Sequence, residues 1–171
     1  ESDVTIEEET AEETEEIEGE TEVTAGVTPN SVLWGVDVAL DRVRFAMTRD
    51  PEKRVALGLV IAEERLLEIK ATAGNKKAME RAGSEHGRVF TKVEESFEEF
   101  SDEDATEELR LKLAFQERVD NHQAFVRDLR SEIDASLDPI GDEEKLASID
   151  TVLANVDGRV SAVKITIENS Q

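Results

Sequence analysis

The residues in this chain best placed to do chemistry are two histidines at matched positions in two helical patterns. His86 sits between Gly83 and Phe90, and His122 between Val119 and Val126, each on the apolar row of its segment. If those segments fold back on each other about a turn near residue 102, both imidazoles should be buried and within about 10 Å of each other. With Glu85, Glu117 or Asp120 close by, such a pair has the ligand types of a divalent transition-metal site. An imidazole on an apolar row is more often a core residue bonded to a carbonyl or carboxylate. His86 and His122 therefore stand as metal candidates only, and no cofactor is expected. A carboxylate-bridged di-iron centre would need Glu-x-x-His on two helices, and residues 83 and 119 are Gly and Val.

Other catalytic constellations are missing from the chain. It has no glycine-rich phosphate loop, no Gly-x-Ser-x-Gly and no His-Glu-x-x-His. It has no Cys, which excludes disulfides, thiolate metal sites and cysteine nucleophiles. Carboxylate pairs such as Glu94-Glu95 and Glu98-Glu99 read as a solvated face. No loop has the Asp-x-Asp-x-Asp-Gly spacing of a preformed calcium site, so weakly bound divalent cations would only screen charge. The chain is not expected to be an enzyme.

Charge narrows the partners. Of a formal net charge of -22, twelve carboxylates fall in the first 24 residues, which hold no Lys or Arg. A stretch that acidic and that poor in large apolar groups cannot by itself offset the entropy of ordering. The remainder carries thirty acids and twenty bases, still net -10, with no basic stripe. Nucleic-acid phosphates and anionic lipid surfaces would be repelled. No apolar run approaches the roughly 20 residues needed to cross a bilayer, so membrane insertion is not expected.

Residues 1–26 read as an acidic N-terminal extension and residues 27–171 as one domain. Spacings of three and four residues predict helices over 31–48, 51–73, 75–100, 103–136 and 142–168. The first should bury Val32, Val36, Ala39, Leu40, Val43 and Met47. The second should bury Val55, Leu59, Ala62, Leu66, Ile69 and Ala73, starting from a cap at Asp50 with Pro51 in the first turn. The third carries Met79, Gly83, His86, Phe90, Val93, Phe97 and Phe100; the fourth Phe115, Val119, His122, Val126, Leu129, Ile133 and Ser136; the fifth Leu146, Ile149, Leu153, Val156, Val160, Val163 and Ile167. Rows of this 3.5-residue period pack nearly antiparallel, and short connections make sequential helices neighbours. The expected fold is therefore all-α, an antiparallel bundle of about five helices. Val4-Thr5-Ile6 is short and β-branched, and reads equally well as a strand.

The first hairpin carries a resemblance. Val27-Thr28-Pro29-Asn30-Ser31 with Trp34 in the next turn, Thr48-Arg49-Asp50-Pro51-Glu52-Lys53, and Ala62-Glu63-Glu64-Arg65-Leu66 follow a pattern of Val-x-Pro-Asp/Asn-Ser, Thr-x-Asp-Pro-Glu-Lys and Ala-Glu-x-Arg-Leu. Residues 27–70 thereby resemble a family of helical domains of unknown function in extracytoplasmic proteins of archaea and Gram-positive bacteria. The resemblance implies a secreted or surface-anchored helical domain and brings no catalytic residues. Read physically, Trp34 can cover the open end of the bundle, and Arg65 can form surface pairs with Glu63, Glu64 and Glu68.

Function follows as an expectation. The acidic, Thr-rich start without Met resembles a mature secreted protein after loss of its signal peptide, which points to an extracellular or cell-surface location. A non-catalytic structural or assembly subunit is expected, homo-oligomeric or filament-forming, its extension docking on a neighbour through Val4, Ile6, Ile17 and Val23. The alternative is a cation-binding or sensing module built on His86 and His122.

Overall fold

The computed structural model of the protein describes residues 27–99, 105–138 and 141–169. It is all-helical over those residues: α1 (Trp34–Met47), α2 (Pro51–Ala71), α3 (Lys76–Glu98), α4 (Ala105–Ser136) and α5 (Glu143–Asn169). Each lies within three residues of the range read from spacing. Phe100 and the expected assembly residues Val4, Ile6, Ile17 and Val23 lie outside the described residues.

Local chemistry sets the starts of α2 and α3. The Asp50 carboxylate accepts the Lys53 N–H at 3.1 Å with Pro51 at the first helical position, and the Asn75 side chain accepts the Ala78 N–H at 3.1 Å. Each satisfies an amide that the first turn leaves without an intrahelical partner.

Helices α2 to α5 form the bundle, and α1 lies along the outside of α2. Going round the bundle the order is α2, α3, α5, α4. The hairpins α2/α3 and α4/α5 pair as neighbours, as the short connections predict. The expected side-by-side pairing of α3 with α4 does not occur. The second hairpin instead docks on the first with α4 beside α2 and α5 beside α3, because that arrangement lets four apolar rows face one axis. Helices α3 and α4 stand diagonally across it.

The core divides into two apolar clusters. At one end Val55, Leu59 and Ala62 of α2 meet Phe90, Val93 and Phe97 of α3, Leu111, Phe115 and Val119 of α4, and Val160, Val163 and Ile167 of α5. At the other, Leu66 and Ile69 meet Met79, Ala82, Val126, Leu129, Ile133 and the first half of the α5 row. The rows of α2 to α5 are thus buried largely as spacing predicts, with Ala73 and Leu146 only half-buried and Ser136 exposed.

Helix α1 departs from expectation. Only Val38 and Asp41 are buried on it, while Val32, Val36, Leu40, Val43 and Met47, the row expected inside, face water. The inward positions are instead Trp34, Asp37, Val38, Asp41 and Phe45, which follow the same helical period on the opposite side.

Gly58 is the point of closest approach between α1, α2 and α3. A Cβ there would overlap the Val93 side chain and touch Phe45 Cε2 at 3.1 Å. Gly58→Ala should therefore lower stability by about 1 to 3 kcal/mol through overpacking, against the gain of about 1 kcal/mol that Ala gives in an open helix. Thermal unfolding checks this, and a stabilised variant would contradict the packing.

Candidate functional site

The two imidazoles meet. His86 and His122 are fully buried, with Nε2 atoms 2.9 Å apart and rings stacked at a centroid distance of 5.2 Å. They fill the level between the two apolar clusters, since His86 follows Ala82 and precedes Phe90 while His122 lies between Val119 and Val126. Phe90 packs on both rings, at 4.8 Å from each centroid. The contact expected of antiparallel neighbours is made instead across the bundle diagonal.

A 2.9 Å contact between two ring nitrogens requires one N–H donor and one acceptor. Glu63 Oε1 lies 3.9 Å from His122 Nδ1, which favours the proton on that nitrogen. His122 Nε2 then accepts from the His86 Nε2–H. Neither Nδ1 has a hydrogen-bond partner within the protein. The expected third ligands point elsewhere: Glu85 binds Arg42 at 2.7 Å and Arg88 at 3.0 Å, Asp120 binds Lys164 at 2.6 Å, and Glu117 is exposed. Among the described residues, no group of three or more His, Asp or Glu is arranged to hold a metal ion.

A second buried polar assembly joins α1 to α2. Arg65, expected at the surface, keeps only 1% of its side chain in water. Its guanidinium donates to Glu68 Oε1 at 2.6 Å, to Asp37 Oδ2 at 3.1 Å and to Asp41, with Glu64 Oε2 3.7 Å away. Glu68 is itself fully buried and accepts the Trp34 indole N–H at 2.9 Å. The Trp34 ring lies 6.0 Å from the guanidinium carbon. Trp34 thus closes this cluster and not the end of the bundle, and Glu63 takes no part in it.

Four carboxylates face one guanidinium. Burial pushes Asp41 up from 3.8 and Glu64 and Glu68 up from 4.5, while Arg65 pulls each the other way. Burial also works against the Arg65 charge, but Glu68, Asp37 and Asp41 outweigh it and hold the guanidinium protonated. A carboxyl whose folded pKa is raised binds protons on folding. Its contribution to stability is fullest below its ordinary pKa and is lost as pH rises through the raised value.

His86 acts in the opposite sense. Burial, then the neighbouring His122, drives it well below 6.5. Its contribution is complete above pH 6.5 and is lost as pH falls, because the unfolded chain takes the proton first.

Two surface grooves lie elsewhere among the described residues. One of about 370 Å³ lies under α1, floored by Val38, Phe45, Ile61 and Val89 and rimmed by paired charges of α1 and α3. The other, of about 510 Å³, runs between the N-terminal halves of α3 and α5. Neither histidine lines either groove. Both imidazoles are closed off from water.

The family comparison covers most of the chain, matching residues 26–160. The chain belongs to the family described as Domain of unknown function (DUF5667). No curated protein matches it, and no solved structure does. The family match spans α1 to α4 and most of α5, so it takes in both polar assemblies. Arg65 and Trp34 stood in the motifs of the first hairpin, with Glu68 one turn beyond, but spacing alone did not place them in one buried cluster. The available clue was that Trp34, Asp37 and Asp41 share one face of α1.

Arg65→Met should cost about 3 to 5 kcal/mol, because Glu68 and Asp41 would remain buried without their counter-charge. Adding Glu68→Gln should recover part of that loss in urea unfolding, and no recovery would contradict the assignment. For the imidazoles, the stability of the wild type relative to His86→Leu/His122→Leu should be flat above a pH of about 6.5 and fall below it. Denaturation curves across that range check the sign.

Proposed function

We propose that this domain is a non-catalytic, extracytoplasmic structural subunit that assembles with other copies on a surface or in a filament. The observation that carries this is the outward row of α1, which leaves Val36, Leu40, Val43 and Met47 each at least half exposed. Contiguous apolar rows in water mark contact sites in folded proteins. The interior is compatible with the same reading, since Arg65 is held by Asp37, Asp41 and Glu68 and the two histidines line neither groove.

The extracytoplasmic placement rests on the resemblance of residues 27–70 to domains of such proteins. No helix among the described residues is long and apolar enough to cross a membrane. The acidic extension, residues 1–26, is assigned the role of docking on a neighbouring subunit, with Val4, Ile6, Ile17 and Val23 as its apolar anchors. The alternative, a cation-binding or sensing module, draws on the facing imidazoles of His86 and His122.

Light scattering of the full chain over a range of concentrations, with and without chelator, tests both readings. The expected result is a particle larger than a monomer that chelation does not change. Deleting residues 1–24 should leave the helices folded by circular dichroism and stop growth beyond pairs of chains. A monomer at every concentration would overturn the assembly reading. Assembly that vanishes on chelation would favour the cation-binding one.

A further inference from the structure

The outward face of α1 has a finer pattern than exposure alone. Leu33, Val36, Leu40, Val43 and Met47 recur at intervals of three, four, three and four, and their exposures run from 52% to 75%. That rhythm is the seam of a two-helix coiled coil, and it spans about 21 Å of helix. Helix α1 cannot turn to bury it, because Trp34 and Asp41 on the other side are held by Glu68 and Arg65.

We propose that this seam pairs with the same seam of a second copy of the chain, helix against helix and antiparallel about a two-fold axis. The proposal rests on the assembly reading and names its contact. Its support lies in the positions that flank the seam. On one side stand Ala39 and Ala46, small enough to let two helices approach closely. On the other stand Asp37 and Arg44, seven residues apart and opposite in charge; Asp37 gives one carboxylate oxygen to Arg65 and keeps about a third of its side chain in water, and Arg44 is exposed. In an antiparallel pair each flank meets the same flank of the other copy in reversed order. Arg44 of each copy then lies beside Asp37 of the other, and alanine meets alanine. A parallel pair would set each charge against an alanine.

Other occupants fit less well. An anionic lipid surface is repelled by a body of net charge -10 beyond residue 24. The chain's own first 24 residues bring twelve carboxylates, and only Arg44 flanks the seam to receive them. A second copy supplies its own complement. Because α1 is already folded on the bundle, pairing carries no helix-nucleation cost. The seam is nonetheless short, so the pair belongs to the small, concentration-dependent class of interfaces.

Sedimentation velocity of the full chain tests this. The wild type should shift with concentration, and Leu40→Glu/Val43→Glu should lose the seam contact while its circular dichroism and melting temperature stay unchanged. Leu109→Glu/Leu113→Glu, which charges two exposed leucines on α4, serves as the control and should behave as wild type. Because the chain has no Cys, single cysteines report geometry directly. Leu40→Cys, near the axis, should be captured as a covalent dimer by a short bismaleimide. Leu33→Cys should not, since antiparallel copies hold it on the order of 20 Å from its counterpart. Association unchanged by Leu40→Glu/Val43→Glu would overturn the seam and leave assembly by another surface standing. Loss of association in the α4 control alone would do the same. Equal capture of Leu33→Cys and Leu40→Cys would overturn the antiparallel arrangement. A full chain that stays monomeric throughout would overturn both the seam and the assembly reading.

Discussion

A guanidinium removed from water must be surrounded by acceptors, and that requirement at Arg65 governs how the first helix is seated. Arg65 lies on the side of α2 that α1 covers, and Glu68 one turn on supplies only one partner. The remaining acceptors come from Asp37 and Asp41 of α1. Removing one member of such a cluster strands a charge at a cost of several kcal/mol, whereas the outward leucines and valines of α1 are each worth roughly 1.5 to 3 kcal/mol if buried. The outward residues are more numerous, but the surface of α3 beside α1 carries Glu85, Arg88 and Lys92, and the apolar part of the surface under α1, Ile61 and Val89, already faces Val38 and Phe45. The ionic contact decides the rotation, and the apolar row is left facing out.

The same reasoning explains why the interior is not uniformly apolar. The imidazole pair fills the level between two clusters of aliphatic and aromatic side chains. A slip of α3 against α4 by one turn would separate the two Nε2 atoms and leave both rings without a partner. Burying a polar group without a hydrogen bond costs more than burying it with one, so the pair penalises alternative registers that aliphatic rows alone would tolerate. Burial favours the neutral form of His86 and so stability above pH 6.5, while the raised carboxyls of Asp41, Glu64 and Glu68 favour acid. The two assemblies therefore pull the pH dependence of stability in opposite directions.

Much of the architecture was legible in the order of residues. Asp50-Pro51 announced a helix start that a side-chain cap then makes, whereas the cap at Asn75 was not read from the sequence. The rows through Leu59, Ala62 and Leu66, through His86, Phe90 and Val93, and through Val119, His122 and Val126 marked the faces that are buried. The meeting of His86 with His122 was also foreseen, though from a pairing of α3 with α4 that does not exist. Residues near the middle of two inward rows converge on the bundle axis whether their helices are adjacent or diagonal. That tolerance is why the histidine contact survived the wrong neighbour assignment.

The sequence by itself determined the helices, their inward faces on α2 to α5, the absence of Cys and the acidic balance of charge, because periodicity, capping and charge are local or additive properties. Tertiary structure alone decided the order of helices around the axis, the burial of Arg65 and the outward seam of α1. Helix α1 carries two candidate faces, one apolar through Val36, Leu40 and Val43 and one mixed through Trp34, Asp37 and Asp41. Hydrophobic periodicity ranks the first higher. Only the position of a single guanidinium on another helix, 24 residues from Asp41 in the chain, makes the second the face that turns inward.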